Sequence, residues 1–205
     1  PGVPIITSEN AEEVAANGCA RSTVKETYEF ILGDLNKAIE LLANTKKTRS
    51  DKRYVSLDVA YGIRARVHLT MHNYADALKD AEAALASTSS VPYSSAAVSK
   101  PTFIDIEDAS WMWGILITDK DRVSTTGICN FPSHMGSLNY GYASVGGWRR
   151  ISPKLYNQIP ESDVRKGWFL DDTGVSVNLP AAAQAYITKK GAPVYTQVKY
   201  GPMND

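Results

Sequence analysis

Asp105, Glu107, Asp108, Asp119, Asp121, Asp163, Asp171 and Asp172 offer carboxylates in abundance in the second half of this sequence. Two such groups facing each other across a cleft can hydrolyse a glycosidic bond, but spacing along a chain does not pair them across one. Nucleophilic hydrolysis needs a strained Gly-x-Ser-x-Gly turn that lifts a hydroxyl above a sheet. The nearest approach, Gly141 to Gly146 around Ser144, is longer by one residue. Ser22 and Lys25 have the Ser-x-x-Lys spacing of penicillin-recognising enzymes, without the accompanying Ser-Asp-Asn or Lys-Thr-Gly, and a helix start explains them better. His68 and His72, four apart, would share one helix face and could seat a metal ion. No third ligand accompanies them, and a histidine at a helix C-terminus is favourable on dipole grounds alone. Cys19 and Cys129 stand far apart without C-x-x-C spacing, which argues against zinc. No phosphate-cradling glycine loop is present. The chain is therefore read as no enzyme, with no catalytic residue, metal or cofactor assigned.

Aromatic rings offer a different chemistry. Tyr140, Tyr142 and Trp148 lie in or beside the glycine-rich stretch Gly127 to Gly147, which is too irregular for a packed element and reads as a surface loop. Rings exposed on a loop can stack on the flat face of a sugar. The competing reading makes Trp148 a core plug ahead of Arg149 and Arg150. Trp168 is a further stacking candidate, although its neighbour Phe169 points to packing.

Positioning such a loop is the task of the helices before it. Thr23 with Glu26 makes a capping box, and Val24, Tyr28, Ile31, Leu35, Ala38 and Leu42 follow at helical spacing, so Thr23 to Ala43 is an amphipathic helix. Ser56 as N-cap opens a second helix to His72, striped by Ala60, Ile63, Val67 and Met71. A third, Tyr74 to Ser87, carries Ala77, Leu78, Ala81, Ala84 and Leu85. The short connection at His72 and Asn73 makes the last two antiparallel neighbours. The expected interior is Tyr28, Leu35, Ile63, Val67, Leu78 and Leu85. Small residues at Ala65, Ala77, Ala81 and Ala84 match part of the tetratricopeptide pattern, while Arg64 and His68 depart from it.

Flanking segments read less regularly. Residues 1–22 form a linker or edge segment, 23–87 the helical array, and 88–205 an irregular half. Asn44 to Tyr54 carries five basic residues and reads as a solvated loop rather than an anion site. Ser110 to Thr118 is apolar on both alternating faces, as expected of a doubly buried strand, with a short helix as the alternative. Ser152 with Pro153 starts a short helix ending before Pro160, a second lies around Asp163 to Trp168, and Pro193 to Tyr200 reads as a late strand. The expected fold class is mostly α, a tetratricopeptide-like helical array packed against an irregular half with a few short strands.

At 205 residues and 43% hydrophobic, the chain can bury a sizeable core. Lysine plus arginine and aspartate plus glutamate each count 22, so no net field attracts a nucleic-acid backbone, and nucleic acid is not expected as a partner. No apolar run has the length to span a bilayer. The start at Pro1 suggests a mature or excised piece of a longer chain.

Several short runs, in order, carry a resemblance: Gly2-Val-Pro-Ile5, Arg21-Ser-Thr-Val-Lys-Glu-Thr-Tyr28, Ile31-Leu-Gly-Asp-Leu-Asn-Lys-Ala38, Ala65-Arg-Val-His-Leu69 and Tyr74-Ala-Asp-Ala77. With the apolar run Trp111 to Ile117, Ser152-Pro-Lys-Leu-Tyr156 and Asp163-Val-Arg165, the sequence resembles the middle section of the SusD/RagB family. The resemblance implies a surface lipoprotein of Bacteroidota that binds glycans, or in some members peptides. It implies a partner, a SusC-like TonB-dependent transporter that the protein covers as a lid. It also implies outer-membrane localisation, exposed at the cell surface and held by a lipid anchor outside this chain, with 88–205 the ligand-facing half of one incomplete SusD-like domain. Under that reading Cys19 is not the anchor, and Tyr140, Tyr142, Trp148 and Trp168 are the glycan-stacking residues. A second reading, a helical-repeat scaffold that holds a protein partner, would place its contacts on the helices instead.

Overall fold

A computed structural model describes residues 2–45, 48–100, 106–116, 118, 120–121 and 147–200. The chain is mostly helical and divides into two compact units, Pro1–Ser89 and Ser90–Asp205.

The first unit opens with an extended piece tied down by Ser22, whose N–H donates to the Val3 carbonyl at 3.2 Å, and by Arg21 Nε, which donates to the Gly2 carbonyl. Helix α1, Ala11–Asn17, then appears where the sequence suggests only a linker or edge. It has Glu12 and Glu13 in its first turn and ends at Gly18 with φ 70°, but it buries nothing, so no apolar period announces it. Helix α2, Val24–Asn44, starts on the expected capping box: Glu26 N–H donates to Thr23 Oγ1 at 3.1 Å and Thr23 N–H to Glu26 Oε2 at 2.7 Å. Helices α3, Leu57–Thr70, and α4, Tyr74–Ser87, form the antiparallel pair, with α2 against α3. Ser56 is the N-cap of α3 by backbone conformation, but its hydroxyl goes to Asp58 instead of to a helix N–H. Burial would raise the Asp58 carboxyl, and the bonds from Ser56, Thr88 and the Val59 N–H with the charge of Arg49 hold it below its ordinary value instead.

The interior of this unit departs from expectation on α4. Tyr28, Leu35, Ile63 and Val67 are half-buried, but Leu78 and Leu85 are 61% and 66% exposed. Buried in their place are Ala77, Asp80 and Ala84, with Ile39 buried on α2 and Val59 and Ala60 on α3. The reason is Arg64. Its guanidinium, on α3, binds Asp80 of α4 through Nε at 2.7 Å and Nη2 at 2.6 Å, and donates from Nη1 to Asn36 of α2 at 2.7 Å. A buried carboxylate must stay with its counter-charge, so α4 turns its Asp80 stripe inward and its leucines outward.

The second unit holds α5, Ser95–Val98, α6, Pro153–Tyr156, a 3₁₀ turn at Val164–Trp168, and α7, Ala181–Lys189, which no sequence signal announces. Ser110 to Thr118 is not a strand in its described residues: Asp108 Oδ1 accepts from the Ser110 N–H and hydroxyl, which folds the chain into a turn, and Ile115 is 82% exposed. The expected late strand is reduced to isolated antiparallel bridges in a short ladder of hydrogen bonds. Arg150 bridges Thr196 and Phe169 bridges Gln197, both antiparallel, so the 195–198 segment lies between 149–151 and 168–170. Leu170, Ala183, Ile187 and Val198 form the core behind it.

Candidate functional site

Three local signals shape one concavity in the second unit. Ser152 caps α6 by accepting from the Leu155 N–H at 3.3 Å, with Pro153 in the first turn, and this delivers Tyr156 at the helix end. Asp163 caps the 3₁₀ turn by accepting from the Arg165 N–H at 3.0 Å and grips the Arg165 side chain. Asp171 then folds the loop that follows, accepting from the Thr173 N–H at 2.8 Å and the Val175 N–H at 3.0 Å, with Gly174 at φ 83° completing the turn.

That loop is pinned from behind. Gln184 of α7 donates to the Gly174 carbonyl at 3.0 Å and accepts from the Ser176 N–H at 3.1 Å. Ser176 is buried and donates to the Gly167 carbonyl at 2.5 Å. A Cβ at Gly167 would overlap the Asn178 amide, which donates to the Val164 carbonyl at 2.8 Å. The result is a cavity of about 510 Å³, within the range of small-molecule sites.

Two tyrosines line it. Tyr156 and Tyr195 are half-buried, with ring centroids 5.2 Å apart and planes at 58°. Tyr195 has φ 65°, a left-handed conformation that a bulky residue adopts only when its surroundings enforce it. Here they do: its N–H donates to the Leu170 carbonyl at 3.1 Å, its carbonyl accepts from the Ile151 N–H at 3.0 Å, and Thr196 after it is fully buried. The ladder thus presses one ring against the other.

The charges around the rings are largely committed. Lys166 binds Glu161 and lies 5.0 Å from the centroid of Tyr156. Arg165 holds the Asp163 carboxyl down to about 2, by side-chain and backbone hydrogen bonds. Burial opposes ionisation of Asp171, but hydrogen bonds from Thr173, Val175 and Gly174 outweigh it and keep that carboxyl low. Burial raises the Tyr156 phenol, with the nearby Lys166 opposing and Asp171, Glu161 and Asp172 reinforcing.

Of the aromatic residues singled out from sequence, Trp148 and Trp168 do not line this cavity. Tyr140 and Tyr142 fall outside the described residues. Trp148 packs against the Leu170–Ile187 core, and Trp168 donates its indole N–H to the Val98 carbonyl at 2.7 Å while Lys199 lies 4.5 Å from the centroid of its ring. His68 and His72 do not share a site. His72 Nδ1 is 2.9 Å from the Tyr74 hydroxyl, and His68 Nε2 faces Asp80 at 3.8 Å. Among the described residues no group of three metal-ligating side chains comes together. Sequence reasoning missed Tyr156 and Tyr195 as a pair, although the Ser152-Pro153 helix start and the Asp163–Arg165 turn that build their cavity were both visible.

A family model described as SusD-like, starch-binding and associating with the outer membrane, matches residues 1–69. In fold, the chain is similar to a SusD-like carbohydrate-binding protein from Bacteroides vulgatus ATCC 8482, with a TM-score of 0.64 at 24% identity, covering 82% of this chain and 33% of that one. It is also similar to a SusD-like protein from Bacteroides fragilis NCTC 9343, with a TM-score of 0.52 at 19% identity, covering 86% of this chain and 42% of that one. The chain therefore spans well under half the length of either. Comparison with curated protein sequences returned no match. Both likenesses agree with the family resemblance drawn from the sequence.

Proposed function

Proceeding from a chain whose residues 1–69 match a SusD-like family model and whose fold is similar to SusD-like proteins, we propose that it binds glycan without cutting it. The binding serves uptake: held at the bacterial cell surface by a lipid anchor outside this chain, the protein passes its glycan to a SusC-like TonB-dependent transporter in the outer membrane. The observation that carries the binding step is the cavity lined by Tyr156 and Tyr195, an aromatic pair with amide and carboxylate groups around it. Tyr140 and Tyr142 keep their proposed stacking role.

The same cavity supports binding over hydrolysis. A glycosidase acid must hold its proton near neutral pH, which requires a raised carboxyl. Asp163 and Asp171 are both lowered, and Glu161 is engaged by Lys166. The scaffold reading draws support from α4, where Tyr74, Leu78 and Leu85 leave apolar surface open.

A glycan array on the chain, followed by chromatography of each bound oligosaccharide after long incubation, tests the reading. Retention of at least one glycan, recovered unchanged, is expected. Shortened products would overturn the non-catalytic assignment, and an empty array would leave the scaffold.

A further inference from the structure

We propose that the Tyr156–Tyr195 cavity is selective by charge, accepting uncharged sugar residues and turning away uronates and sulfated sugars. The inference rests on the glycan reading above and names the substrate class of that site. Its ground is the set of charges lining the cavity. The one lining cation among the described residues, Lys166, has its ammonium on Glu161 and against the Tyr156 ring, with its side chain only 14% exposed. Arg165, at the edge, gives Nε and Nη2 to Asp163 at 2.9 and 2.6 Å. Once these two pairs offset one another, Asp171 and Asp172 are left.

Asp171 is locked in the ionised form by the N–H groups of its own loop, and Asp172 stands exposed beside it. An anionic sugar seated on the rings would meet two carboxylates and would have to break an existing ion pair to gain a counter-charge. Burial is the largest effect raising the Tyr156 phenol; Lys166 opposes it, and the carboxylates of Asp171, Glu161 and Asp172 add to it.

Neutral sugars meet no such opposition. The side chains of Asn157 and Asp172 line the cavity with no hydrogen-bond partner among the described residues, so an amide and a carboxylate remain for sugar hydroxyls. The amide of Asn178 is already spent on the Val164 carbonyl.

The test is calorimetry on the full chain with neutral hexaoses (malto-, xylo- and manno-series) and with hexagalacturonate. Binding is assigned to this cavity as the part removed by Tyr156→Ala, in a variant shown to be folded by circular dichroism. At low salt the best neutral hexaose is expected to bind at least about tenfold more tightly than the uronate. Raising salt from about 0.05 to about 0.5 M should strengthen uronate binding while leaving the neutral sugar within about twofold, because only a charge repulsion is screened. Asp172→Asn should narrow the gap by roughly three- to fivefold. A uronate that binds the cavity as tightly as the best neutral hexaose, or weakens with salt, overturns the selectivity and leaves glycan binding standing. If no hexaose of either kind binds, the glycan reading falls and the selectivity with it.

Discussion

Arg64 grips Asp80 in a two-point pair, Nε to Oδ2 at 2.7 Å and Nη2 to Oδ1 at 2.6 Å, across the interface of α3 and α4. Asp80 is 3% exposed, and His68 stays 3.8 Å from it, beyond hydrogen-bond reach. Arg64→Met therefore leaves a buried carboxylate uncompensated and should cost about 3–5 kcal/mol in urea unfolding. Combining it with Asp80→Leu should recover most of that loss. A single variant within about 1 kcal/mol of the parent would show that the pair does not hold the helices together.

Leu78 tests the same arrangement from the other side. At 61% exposure it contributes little to the interior, so Leu78→Ala should shift stability by no more than about 0.5 kcal/mol. A loss of about 2–5 kcal/mol, the range for a buried leucine, would mean that α4 packs on its leucine stripe after all.

These two positions show where the sequence stops being legible. The helix starts at Thr23 and Ser152 and the turn at Asp163 were readable because each is closed by a hydrogen bond to a near neighbour in the chain, Glu26, Leu155 and Arg165. The inward face of α4 was not, because its alanines and leucines make two adjacent apolar stripes and the choice between them is made by Arg64, sixteen residues away. Arg64 and His68 looked like departures from a repeat pattern, yet Arg64 is the partner of Asp80 and His68 lies beside it. Tyr195 was illegible for a related reason: a ladder bond from Ile151 sets its place, with Arg150 Nε on the Val194 carbonyl next to it.

His72 ends α3 in a left-handed conformation, φ 63°, with its N–H on the Leu69 carbonyl and the Asn73 N–H on the His68 carbonyl. Glycine adopts that conformation without a Cβ clash. His72→Gly should therefore leave stability unchanged or raise it by up to about 1 kcal/mol, whereas His72→Val should lower it. Thermal melts of the two variants check the order, and a valine variant that melts above the glycine variant would contradict the cap.

Asp163 makes a prediction about acid. Its folded value of about 2 lies below the unfolded one of about 3.9. The stability this carboxylate contributes is present above the unfolded value and is lost as pH falls through the folded one. A carbon-13 titration of its carboxyl group should give a midpoint near 2 in the parent, returning toward about 4 in Arg165→Ala. Equal midpoints in the two proteins would remove Arg165 as the cause.

Glycan seated on the rings of one cavity is the central claim, and calorimetry on ring-deleted variants tests it most directly. The ligand is the tightest oligosaccharide from the array, titrated into the parent, Tyr156→Ala and Tyr195→Gly, the glycine chosen because it keeps the φ of 65° without strain. Each variant is first shown to be folded by circular dichroism. Loss of one stacking ring should weaken binding about ten- to a hundred-fold, corresponding to about 1–3 kcal/mol. Parent-like affinity in both variants would contradict the account.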